Sequence, residues 1–147
     1  VGYRARRHYL KQLNTATELL AYLDDFSIPF SLNEEHAQVL LDYMEGSAYG
    51  LHVDEKGQLY WVDLEGEQIE EITMDEVTFL ACEWNNEFIL DSRQRLEEKA
   101  GSSEEREIID RIKQLKKDER LLDDIYEQTS LWKQVNQKAT PAKKNSR

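Results

Sequence analysis

Cysteine is almost missing from this chain. Cys82 is the one thiol in 147 residues, which excludes an internal disulfide and makes a reducing, cytoplasmic setting the expectation. There is no Cys/His cluster of zinc-finger type, and His8, His36 and His52 do not fall at the i, i+3 or i, i+4 spacing of a helical metal motif. No apolar run approaches the ~20 residues that cross a bilayer, and the first residues lack the apolar stretch of a signal peptide. The expectation is a soluble, unexported chain without membrane contact. P-loop, GxGxxG and GxSxG patterns are absent, and Gly46, Gly50, Gly57, Gly66 and Gly101 all have turn or cap readings. That leaves Gly2 alone, and a single glycine makes no phosphate cradle. Neither a catalytic residue nor a cofactor is expected.

Basic residues are also scarce where the acids are densest. The stretch LEGEQIEEITMDEV (64–77) holds Glu65, Glu67, Glu70, Glu71, Asp75 and Glu76 with no Lys or Arg. Residues 1–13 carry +4; residues 14–100 set 21 acids against four bases for −17; residues 101–147 carry +2, and the total is −11. An acidic body between two mildly basic ends repels nucleic acid and anionic membrane and favours basic protein partners. The basic start, with Arg4, Arg6, Arg7, His8 and Lys11, is more simply paired with that body than with phosphates.

The length suits one domain with a core large enough to need no metal or disulfide. Residues 3–13 have the spacing of a helix, with Asn14 or Thr15 as the cap of a second one. Apolar residues at Ala16, Leu19, Leu20, Leu23 and Phe26 mark an amphipathic helix over 15–26, and Pro29 forces a corner. Ser31 with Glu34 forms a capping box for a helix over 32–45, which Gly46 can close. The periodicity then switches. Strands at 49–53 and 58–64 flank the turn DEKG, with Gly57 in a left-handed conformation. Leu59 and Trp61 share one face, Tyr60 and Val62 the other, so both faces are covered at least in part. A candidate third strand spans 67–72, although Ile69 and Ile72 do not alternate. Thr73 with Glu76 opens a helix over 74–100 through Val77, Leu80, Ala81, Trp84 and Phe88, and Asp75 and Glu76 complement its dipole. Gly101 stops it.

A last helix over 102–138 carries Ile108, Ile112, Leu115, Leu122, Ile125, Thr129 and Trp132, a stripe interrupted near Asp118 and Glu119. It is too short and irregular for a dedicated coiled coil and fits the return arm of a helical hairpin. Residues 139–147 are expected to form a disordered tail. The fold class is therefore α+β and predominantly helical: an N-terminal helical hairpin, a small antiparallel β-hairpin with a candidate third strand, then two long helices. Residues 1–101 form the body, and 102–138 pack on it or extend from it.

The candidate surfaces are few. Asp24, Asp25, Glu65, Glu67, Glu70 and Glu71 are candidates for binding a basic protein. Leu115, Leu122 and Trp132 would form an oligomer interface if that stripe exceeds what one partner helix covers. Paired carboxylates are too numerous to mark an acid catalyst, since neighbours in sequence point different ways. Cys82, mid-helix beside Glu83, fits a buried and inert thiol. Trp61, Trp84 and Trp132 could line a groove, but at these spacings they more simply fill the core.

From HYLKQLNTATELLAYLDDFSIPFSLNEEHAQVLLDYMEG through the hairpin to CEWN (82–85), the chain resembles small proteins of no assigned activity encoded on conjugative and other mobile elements of gut anaerobes. The resemblance covers roughly residues 3–95, brings no catalytic residue, and implies an accessory role in bacterial mobile DNA. The expected function is that of a non-enzymatic acidic interaction module. Alternatives are a nucleic-acid mimic that blocks a basic DNA- or RNA-binding protein, and a homo-oligomer assembled through the last helices.

Overall fold

The computed structural model describes residues 10–28, 32–63, 65 and 68–138, with side chains as far as Thr129. In chain order the elements are β1 (Lys11–Gln12), α1 (Ala16–Asp25), α2 (Glu34–Gly46), β2 (Tyr49–Val53), β3 (Leu59–Asp63), β4 (Ile69–Ile72), α3 (Met74–Glu98) and α4 (Glu105–Lys138). The class is α+β with helix dominant, and one antiparallel sheet runs in the order β1-β2-β3-β4.

The first strand departs from the sequence expectation, which is a helix over 3–13. Residues 3–9 lie outside the described part. Lys11 and Gln12 pair with Val53 and His52, and the Leu13 N–H donates to the Leu51 carbonyl at 2.8 Å. The open edge of β2 offers those backbone groups partners that outweigh a weak helical preference.

Local capping signals hold at α1 and α3. Thr15 and Glu18 form a capping box on α1, and Thr73 and Glu76 form the expected one on α3. At α2 the cap is Asn33, whose side chain accepts from the His36 N–H at 2.8 Å; Ser31, the expected cap, lies outside the described residues, as does Pro29. Gly46 is the last residue of α2 and does not make the reversal. Ala48 does, at φ 67, immediately before β2 begins to pair at Tyr49.

The third strand is real, and its apolar residues do not alternate because each serves a different face. Ile72 lies opposite Leu59 and Ile69 opposite Val62. One face of the sheet presents Leu51, Val53, Leu59 and Ile72 to a core shared with Leu19 and Leu23 of α1, Leu40 and Met44 of α2, Val77, Ala81 and Ile89 of α3, and Leu115, Leu122 and Ile125 of α4. On the other face, His52, Tyr60 and Val62 are buried as well.

The two long helices pack antiparallel along their length, as the Thr78–Thr129 hydroxyl contact at 3.1 Å and the Asn85–Leu115 bond at 3.0 Å show. The stripe expected on α4 is buried, at Ile108, Leu115, Leu122, Ile125 and Thr129, but that of α3 is rotated from the one expected. Leu80, Trp84 and Phe88 are only half-buried, whereas Thr78, Asn85 and Ser92 are buried. With α2 on one side and α4 on the other, α3 is enclosed over a wider arc than an amphipathic surface helix, so polar residues fall inside it.

Candidate functional site

The acidic residues singled out in the sequence are strung along the sheet. Asp24 and Asp25 are exposed at the end of α1, which abuts the β2–β3 turn through a Tyr22 hydroxyl donating to the Gly57 carbonyl at 2.9 Å. Glu65 lies at the far end of β3, exposed, its N–H donating to the Asp63 carboxylate at 2.9 Å. Between them, Glu70 and Glu71 are exposed on opposite faces of β4, across from Trp61 and Tyr60. Glu67 lies outside the described residues. The geometry therefore makes a dispersed acidic margin and not a compact patch.

β4 is also the terminal strand of the sheet, paired only with β3 among the described residues. A strand in that position presents backbone N–H and C=O groups outward. Beside it, Trp61 donates its indole N–H to Glu70 Oε2 at 2.7 Å. The Trp61 ring stacks on Tyr49, with centroids 4.4 Å apart, and Trp84 completes a three-ring stack, 6.2 Å from each. All three rings are half-buried. Two of the tryptophans flagged in the sequence thus meet at the margin of the core, next to a carboxylate. The side chain of Trp132 lies outside the described residues.

No basic residue occurs between Lys56 and Arg93, and the two ion pairs among the described residues, Lys99–Glu104 and Lys116–Glu119, lie away from the sheet. The carboxylates on β4 have no cation from that stretch to offset them.

Leu115 and Leu122, expected at an oligomer interface, are completely buried in the chain's own core. In this fold neither presents a side chain to a second copy.

A polar junction between α2, α3 and α4 has no counterpart in the sequence reading. Asn85 Nδ2 donates to the Tyr43 hydroxyl and to the Leu115 carbonyl, Tyr43 donates to Asp118 Oδ2 at 3.1 Å, and Gln114 donates to Asp118 Oδ1 at 2.9 Å. Burial pushes the Tyr43 phenol up to about 12, with Asn85 pulling down and Asp118 pushing up, so it stays a neutral donor. The signal for this junction is the break at Asp118 in the α4 stripe and an Asn one turn beyond Ala81. Periodicity registers both as blemishes and does not connect them.

Cys82 is half-buried, and burial followed by the Asp123, Glu83 and Glu119 carboxylates pushes its thiol up to about 11. His36 is half-buried on α2 and His52 is buried on β2, while His8 lies outside the described residues. Among the described residues, no three His, Cys, Asp or Glu side chains are grouped to hold a metal, and no helix is long and apolar enough to cross a membrane. The chain matches no family model, no curated protein and no solved structure.

Proposed function

We propose that the protein is a non-enzymatic interaction module that engages an extended, basic segment of a protein partner along β4. The observation that carries this reading is a strand, terminal among the described residues, bearing exposed Glu70 and Glu71 with no cation nearby in sequence to neutralise them. An added strand would gain backbone hydrogen bonds, and its Lys or Arg side chains would meet a carboxylate on each face. A second copy of this chain would set Glu against Glu, so the same charges disfavour self-pairing at that edge. Spread over both faces of a strand, the carboxylates suit this mode better than imitation of a phosphate row. An accessory role on a mobile element is compatible with it, the partner then being a basic protein and not nucleic acid itself.

The test is a titration of the intact chain with a labelled peptide in which Lys-Lys pairs alternate with Val-Val pairs, so that both faces of the added strand carry Lys, at low and high salt. Each exposed charge pair contributes about 0.2–1 kcal/mol, so Glu65, Glu70 and Glu71→Gln together should weaken binding about tenfold and flatten the salt dependence. Equal affinity for the variant would remove the proposal.

A further inference from the structure

The junction of α2, α3 and α4 opens to solvent as a cleft of about 450 Å³, within the size range of small-molecule sites. Val39, Asp42, Tyr43, Phe88, Arg111 and Asp118 form most of its lining. Two walls are apolar, with the Phe88 ring stacked on Tyr43 at 5.9 Å. The polar groups are unevenly satisfied. Asp42 receives one bond through Oδ1, from Gln38 at 2.8 Å. Behind Tyr43, Asn85 is 1% exposed and its Oδ1 has no hydrogen-bond partner, although its amide nitrogen is bonded to the Tyr43 hydroxyl. A buried acceptor without a donor is uncommon, but Asn85 is not part of the lining, so the acceptors the cleft itself presents are Asp42, Asp118 and the Tyr43 hydroxyl. Arg111 is exposed and, among the described residues, has no ion pair. The cleft therefore has an acceptor-rich inner end and a free guanidinium.

We propose that this cleft binds a small zwitterion, with its ammonium at Asp42, Asp118 and the Tyr43 hydroxyl, its carbon chain over Val39 and Phe88, and its carboxylate on Arg111. Arg111 and Asp118 are seven residues apart on α4, roughly 10 Å along the axis. That separation selects an amine and a carboxylate held apart by several carbons over an α-amino acid. The site is independent of β4, so the two proposals fail separately.

The test is an NMR titration of the full chain with ε-aminocaproate, compared with glycine, hexylamine and hexanoate. The expected result is saturable shifts of the Asn85 side-chain amide and the Phe88 and Arg111 backbone amides, with ε-aminocaproate bound about tenfold more tightly than any of the other three. Arg111→Gln should reduce that affinity about tenfold while leaving hexylamine binding unchanged. Asp42→Asn, at an exposed position that should not disturb folding, should weaken both ligands; Asp118→Asn should do the same if it folds. Absence of saturable shifts up to about 10 mM, or equal ε-aminocaproate affinity in the intact chain and Arg111→Gln, would overturn the assignment.

Discussion

Cys82 shows how a single side chain can be silenced by its surroundings. Its sulfur is half-buried on α3, 4.0 Å from Asp123 Oδ1, and the thiol is pushed from its ordinary 9.0 to about 11. Because the thiolate is the nucleophile, alkylation by iodoacetamide at pH 8 should run at about one-hundredth the rate of an unperturbed cysteine. Asp123→Asn should speed it, since one of the opposing charges is then gone. A rate for the folded protein equal to that of free cysteine would contradict this account. The adjacent Glu83 hints at the direction in sequence. The burial and Asp123, the larger causes, come from packing against a residue 41 positions away, which no local reading supplies.

At the scale of elements, the β2–β3 turn carries the tightest local constraint. Gly57 adopts φ 89, and a Cβ there would press into the Phe26 ring at the end of α1. Gly57→Ala should therefore cost about 1–2 kcal/mol from the left-handed backbone alone, plus the displacement of Phe26. Denaturant midpoints of Gly57→Ala with and without Phe26→Ala separate the two parts. Without the ring, only the backbone part should remain, and an unchanged cost in the absence of Phe26 would show that the steric part is nil. This turn was legible because Asp, Gly and the flanking β-rich residues act locally. β4 was only half-legible, as its two isoleucines serve opposite faces. β1 was illegible, as its strand character is borrowed from β2, about 40 residues on.

For the molecule as a whole, acid stability should follow from carboxylates that serve the fold. Glu18 is held below its ordinary 4.5 first by the Asn14 N–H, together with Thr15. Partial burial pushes Asp54 up, but the N–H groups of Gln58 and Lys56 outweigh it and hold the carboxyl below 3.8. A depressed carboxylate contributes stability that is whole above its unfolded value and is lost as pH falls through the folded one. The loss should thus begin near pH 4.5 and deepen below 3.8. Asp123, raised by burial and then by Glu119 and Asp124, works in the opposite direction. Glu18→Gln with Asp54→Asn should make the acid limb of a stability-versus-pH curve shallower than in the intact chain, and an identical limb would refute the assignment. The helical framework was legible from periodicity, which describes one element at a time. The Tyr43–Asn85–Asp118 junction was not, because its three members stand on three helices and are polar where periodicity expects apolar residues.

The sheet has two ends of different permanence. Among the described residues, β4 is a standing edge defended by charge, whereas β2 is covered by a ladder of two residue pairs from β1, closed across the whole α1–α2 hairpin. The strand beneath that ladder, YGLHV, carries no carboxylate or Lys and is rich in β-forming residues. Unzipping β1 would bare it while the helices remain packed. Aggregation of this protein should therefore start at the β2 edge, without global unfolding, and the short pairing of Lys11 and Gln12 is its guard.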